Sequence, residues 1–180
     1  MRKLTSHYCL KPDGSWAKRP IIKLNDAGVI IEVREMGDDF VEEPNLEYFP
    51  GVLVPTFLMR IHTDDFDKAN INRAIIEGAR RFIIDKEMSF PNRVRSIVKS
   101  GFNTGSADSP WTLIKSEVIE GLDLASAIMN QTQKIAQQFS LDDEWGVIKE
   151  GANPGLLLLK GIDLKEFTIT SNTDLKVLVE

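Results

Sequence analysis

Hydrophobic and polar positions change their period twice along the chain. Up to residue 55 the apolar stretches are short and bounded by turn residues: 4–10, then Ile21, Ile22 and Leu24, then 29–34, then 51–55. Pro12-Asp13-Gly14-Ser15 supplies one turn and Asn25-Asp26-Ala27-Gly28 another, so a hairpin is predicted across residues 21–34. Gly37-Asp38-Asp39 marks a further turn and residues 42–45 a polar loop. From 64 to 140 the spacing becomes three and four. Phe66, Ala69, Ile75, Ile76 and Ala79 predict a helix capped by Asp64 or Asp65. Residues 81–85 read as a strand. Val94, Ile97 and Val98 read as a short helix after Pro91, ended by Gly101. Residues 111–119 read as a helix or an extended segment. The clearest helix is 124–139, where Ala125, Ile128, Met129, Thr132, Ile135, Ala136 and Phe139 form one stripe behind the candidate cap Asp123. From Trp145 the β pattern returns, with strands predicted at 156–159, 167–170 and 175–179 after the turn at 150–155.

Both ends are therefore β and the middle is α/β. Neither end has enough strands for a stable sheet of its own. The expected fold is mixed α/β: a composite β-sandwich built from both chain termini, residues 1–55 and 146–180, around a reduced α/β insertion, 56–145.

Composition adds limits. The 180 residues are 42% hydrophobic and 27% charged, enough for one packed core. The net charge of −5 argues against a general nucleic-acid binder. Cys9 is the only cysteine, which excludes an internal disulfide and a thiolate metal cluster. Residues 1–10 lack the apolar stretch of a signal peptide. The longest apolar run, Leu156-Leu157-Leu158-Leu159, is far short of the ~20 residues that span a bilayer. A cytoplasmic location without membrane attachment is the expectation.

Four stretches carry a resemblance. Gly146-Val147-Ile148-Lys149-Glu150-Gly151-Ala152-Asn153-Pro154-Gly155-Leu156-Leu157-Leu158 resembles the C-terminal signature of the amidohydrolase superfamily. There a segment Gly-x-Ile-x-x-Gly-x-x-Ala-Asp-Leu-Val-Leu leads from the last barrel helix back into a β-sandwich. Residues 127–136 are similar to that last helix, 49–57 to the approach to barrel strand one, and 25–33 to the sandwich hairpin. The resemblance implies a metal-dependent hydrolase acting on C–N bonds, with a His-x-His pair at the end of the first barrel strand. Here those positions are Ile61 and Thr63. His62 falls between them, with the opposite strand parity. Ile61 cannot ligate a metal, Thr63 is a poor ligand beside imidazole, and no histidine follows His62. A complete barrel needs about 250 residues and at least about 200. The resemblance thus implies a truncated (β/α) barrel remnant whose metal site has been dismantled.

No catalytic residue, metal ligand or cofactor is expected. The candidate ligand-binding residues are His62, Asp64, Thr104, Ser106 and Asp108. The last three sit in the small-residue loop 103–110, which lacks the endings of a phosphate-binding P-loop and of a nucleophile elbow. Asp64, Asp65 and Asp67 read either as hard-cation ligands or, more simply, as helix-capping carboxylates. Arg80, Arg81, Arg93, Arg95 and Lys99 form a basic cluster able to contact an anion or nucleic acid, with few aromatics for base stacking. Trp16, Trp111 and Trp145 suit a core or an interface. A cut-down barrel leaves strand edges and helix faces uncovered, so a homodimer through the insertion is expected. The leading reading is a non-catalytic amidohydrolase relative that binds a protein or small ligand. The rivals are a metal-independent enzyme using the 103–110 loop and weak anion or nucleic-acid binding through residues 80–99.

Overall fold

The computed structural model describes residues 1–36, 43–65, 67–91, 94–102 and 108–180. Among these residues the fold is mixed α/β, with two sheets and no closed barrel. The larger sheet is centred on β1 (Arg2–Leu10). On one side β1 carries β3 (Pro20–Leu24) and then β4 (Ile30–Glu35). The short β2 (Trp16–Lys18) pairs with the C-terminal half of β1. On the other side β5 (Leu46–Pro55) runs parallel to β1, followed by β9 (Leu156–Lys160) and β10 (Asp174–Val179).

The two chain ends meet at the antiparallel pair β5–β9, in register from Val52↔Leu159 to Pro55↔Leu156. The expected pairing of the termini is therefore present. Its sequence signature is the unbroken leucine run: Leu156 and Leu158 join Leu4, Cys9, Ile22, Leu24, Ile30 and Leu53 in one core. Leu157 and Leu159 join Val52 and Val54 in a second core on the opposite face. A strand buried on both faces has no polar positions to alternate.

The second core continues into a three-stranded parallel sheet in chain order: β6 (Phe57–Ile61), β7 (Ala79–Ile84) and β8 (Arg95–Val98). Helix α1 (Lys68–Ile76) makes the crossover from β6 to β7. Alternation sorts the strand residues. Phe57, Met59, Ile61, Phe82 and Ile84 face the large core, beside α1, α2 (Pro110–Ile119) and α3 (Leu124–Asn130). Leu58 and Ile83 face a third cluster with Trp145 and α4 (Gln133–Gln138).

Several local expectations are corrected. Asp67, rather than Asp64 or Asp65, caps α1, its side chain accepting from the Ala69 amide at 2.9 Å. The helix then buries Ile71 and Ala74, while Ile76 is 79% exposed. Residues 95–98 are a strand and no helix, because β7 offers them a parallel partner and their β-branched side chains accept it. The long helix at 124–139 is broken at Gln131 and Thr132. The Gln131 carbonyl accepts from the Leu58 amide at 2.9 Å, on β6, and Gly146 packs against the Thr132 backbone. Residues 167–170 form no strand. Only an isolated bridge joins Asp163 and Thr168, and Phe167 holds a left-handed backbone, φ 49°. Asp123 does cap α3, accepting from the Ser126 amide.

Arg81 joins the layers. It lies on β7, fully buried, yet no carboxylate touches it in the described contacts. One terminal nitrogen donates to the Asn153 carbonyl at 2.8 Å and lies 3.4 Å from its Oδ1. The other donates to the Arg80 carbonyl, and the guanidinium carbon sits 5.8 Å from the Trp145 ring centroid. Burial, and then the like charge of Arg95, push the guanidinium down to about 10, so it stays charged at neutral pH. Asn153 in turn donates its side-chain amide to the Ala27 carbonyl and its backbone amide to the Glu144 carbonyl. One residue of the loop before β9 thus ties the β3–β4 turn, β7 and the segment after α4.

Gly51 marks a close approach of two strands. A Cβ there would collide with the Leu159 carbonyl oxygen, and its φ is 144°. His7 Nδ1 accepts from the Gly51 amide at 3.0 Å, which leaves Nε2 to donate its proton to Tyr48 Oη.

Two outcomes follow for urea unfolding. Asn153→Ala, which keeps the backbone carbonyl that Arg81 binds but removes the Oδ1 contact and the bond to the Ala27 carbonyl, should cost about 1–2 kcal/mol, and Arg81→Met less, since it also removes the charge that burial penalises. The double variant should fall short of the sum; strict additivity would show that the two residues do not act as a unit. Gly51→Ala should cost about 3 kcal/mol through strain and collision with β9. A near-neutral result would mean that the β5–β9 pair yields.

Candidate functional site

In parallel sheets the loops after the strands' carboxyl ends are where side chains and backbone groups converge without breaking the sheet. Here those loops follow β6, β7 and β8, and one imidazole links all three. His62 directly follows β6. Its Nδ1 lies 2.9 Å from Asp85 Oδ2, in the loop after β7, and its Nε2 lies 2.7 Å from the Phe102 carbonyl oxygen, in the loop after β8. The Asp85 second oxygen accepts from the Thr63 amide at 2.9 Å. The His62 ring rests 5.0 Å from the Phe102 ring, which packs edge-on to Phe139.

The chemistry of the partners sets the protons. A carbonyl oxygen only accepts, so Nε2 donates. Asp85 is held below the usual carboxylate range, first by the Thr63 amide and also by the charge and hydrogen bond of His62. An ionised carboxylate also only accepts, so Nδ1 donates. Both ring nitrogens are thus engaged by acceptors in the loops after β7 and β8. This pair is 28% and 13% exposed, largely buried but reached by solvent. It is a clamp across three strand ends. A general base or a metal ligand would need a free lone pair on one ring nitrogen.

The described candidates do not gather at this clamp. Ile61, at one of the two positions where the resemblance places a metal ligand, is 6% exposed in the large core with Phe57 and Met59. Thr63, at the other, lies in a single 3-10 turn (Thr63–Asp65). Asp64, in the same turn, is exposed and 3.3 Å from Lys86 Nζ, a solvent-screened pair. Asp108 is exposed, one residue before Ser109, which caps α2. Thr104 and Ser106 lie outside the described residues. An open depression of about 460 Å³ lies at the carboxyl ends of β7 and β8, lined by Ile84, Glu87, Met88, Ser89, Ser96 and Val98. Of the predicted residues that are described, His62, Asp64 and Asp108 do not line it.

Among the described residues the basic cluster does not form one face. Arg81 is interior. Arg80 donates to the Ala79 and Ile75 carbonyls, and Arg95 pairs with Glu144 at 3.7 Å. Arg93 lies outside the described residues. Alternation along β7 sends neighbouring arginines to opposite sides of the sheet, which a count of charges along the sequence ignores.

Asp85 and the Phe102 carbonyl were not among the sequence-derived candidates. Asp85 follows the apolar run 82–84 directly, where a strand's carboxyl end is expected, and that position was the available signal. Its partnership with His62, 23 residues earlier, arises only from the parallel pairing of β6 and β7.

Comparison with known proteins gives little. No protein-family model and no curated protein sequence matches the chain. Among solved structures, the crystal structure described as "putative prolidase from Bifidobacterium longum" superposes with a TM-score of 0.40 and 12% identity, covering 68% of this chain and 39% of that one. The chain spans about two-fifths of that neighbour's length, and a likeness this distant assigns neither family nor activity. No helix among the described residues is long and apolar enough to cross a membrane.

The clamp has a pH signature. Because the folded-state pKa of Asp85 is lowered, its stabilisation is present above the unfolded carboxylate value of 3.8 and is lost as pH falls through the lowered folded value. Asp85→Asn should therefore unfold at lower urea than the parent at pH 7, with the gap closing at pH 3. A gap of constant size would place the effect in packing instead.

Proposed function

We propose that this chain is a non-catalytic, amidohydrolase-like protein, a degenerate hydrolase that acts by binding a protein or a small ligand. The observation that carries the reading is the His62 clamp. The one imidazole near the former His-x-His position is oriented by Asp85 and the Phe102 carbonyl, so both nitrogens are spent on holding loops. Ile61 and Thr63 offer no imidazole in its place. Residues 56–145 are read as the truncated barrel remnant and 1–55 with 146–180 as the composite domain around it. The binding edge is the carboxyl side of β6–β8, with His62 and Asp64; Asp108 precedes Ser109, whose hydroxyl donates to Glu77 at the other end of β7, and Thr104 and Ser106 lie outside the described residues. A second copy docks on the insertion, where Ile76, Val98 and Ile119 stand exposed.

The purified chain, supplied with zinc, iron or manganese, should retain far less than one metal per molecule after gel filtration. It should also leave dipeptides and N-acyl amino acids intact. Stoichiometric metal with turnover that His62→Ala abolishes would sink the reading. Light scattering should give twice the chain mass, and a monomer at micromolar concentration would remove the dimer from it.

A further inference from the structure

The three tryptophans divide. Trp111 and Trp145 are 6% and 5% exposed, in two separate cores. Trp16 is only half-buried. Its ring stacks on Phe167, with centroids 4.8 Å apart and planes 2° from parallel, and Tyr8 meets Phe167 edge-on at 4.9 Å. Phe167 reaches this place through a left-handed backbone, φ 49°, a conformation a large side chain adopts only when its surroundings impose it. The stack forms one wall of a groove of about 310 Å³. Val118, Leu122, Leu124 and Ala125, from the α2–α3 corner, form the other. Leu122 is 38% exposed and the adjacent Ile119 is 85% exposed, so apolar surface continues beyond the lip.

The rim is acidic. Asp123 and Glu166 line the groove. The two segments that build most of it, 115–125 and 163–168, carry five carboxylates against two lysines. Lys165 reaches Glu166 at 3.5 Å, but both are largely exposed, a pair worth little in water. Asp123 is held below the usual carboxylate range by Ser126, so its charge is present throughout the neutral range.

We propose that this groove docks a protein segment in which arginine or lysine alternates with an aliphatic side chain. The aliphatic group fills the apolar floor. The cation's stem lies on the Trp16–Phe167 stack and its charge reaches the Asp123 and Glu166 carboxylates. Charge complementarity selects this occupant over an acidic or neutral one. The groove shares no residue with the His62 site, so the two proposals fail independently.

The test uses the full chain and two labelled hexapeptides, acetyl-(Leu-Arg)₃-amide and acetyl-(Leu-Glu)₃-amide, followed by fluorescence anisotropy. The arginine peptide should bind about tenfold tighter or better, a 1.4 kcal/mol preference. It should shift the Trp16 indole resonance and leave those of Trp111 and Trp145 in place. Asp123→Ser keeps a helix cap while removing the charge. Combined with Glu166→Gln, it should weaken the arginine peptide about fivefold at unchanged circular dichroism. Equal affinity for both peptides, no binding of either, or an unaffected double variant would overturn the proposal. So would self-association of the chain that Trp16→Ala abolishes, since the occupant would then be a second copy.

Discussion

The contact on which the two layers depend is a positive charge held without water. Arg81 sits at the centre of β7, inside the protein, and a guanidinium there must find its acceptors in the chain. Its terminal nitrogens find them in the Arg80 carbonyl and in Asn153, whose backbone and side chain also fasten the β3–β4 turn and the segment after α4, while Nε is buried without a partner among the described residues. The parallel layer can therefore approach the composite sheet in one register. A purely apolar contact would allow sliding, whereas a buried donor set tolerates only positions that satisfy it.

That register fixes the pairing of the chain ends. Residues 151–155 lead directly from Asn153 into β9, and β9 completes the sheet only by lying against β5. Gly51 allows the approach, because no side chain fits between its α-carbon and the Leu159 carbonyl. The same alignment of β6 with β7 brings His62 beside Asp85 at the far end of those strands. Core, closure and clamp are consequences of a single arrangement of strands, and a shift in any of them would be felt at the other two.

The motif 146–158 illustrates how much could be read in advance. Its glycines, Asn153 and leucines stood out as text, and its position between the last helix and a strand was correctly expected. Its work was not visible, since Ala27 and Arg81 lie 126 and 72 residues away. The helix at 124–139 shows the opposite error. Its apolar stripe is continuous, so periodicity predicts one helix, but the Leu58 amide needs an acceptor and takes the Gln131 carbonyl. Residues 95–98 were misjudged for a similar reason, because four residues have no decisive period and only the neighbour β7 makes them a strand. The acidic start of α1 was recognised as capping, with the cap displaced to Asp67.

By itself the sequence determined the mixed α/β class, the leucine strand, the pairing of the two β ends and the absence of a His-x-His pair. All of these depend on residue type or on periods of two and four residues, which are local quantities. Only the tertiary structure decided that His62 clamps three strand ends, that Arg81 is interior while Arg95 pairs at the surface, and that Trp16 borders a groove. Each depends on a partner dozens of residues away, brought within 3–6 Å by strand pairing. Hydrogen-bond direction, burial and ring stacking are properties of such neighbours, and no residue carries them alone.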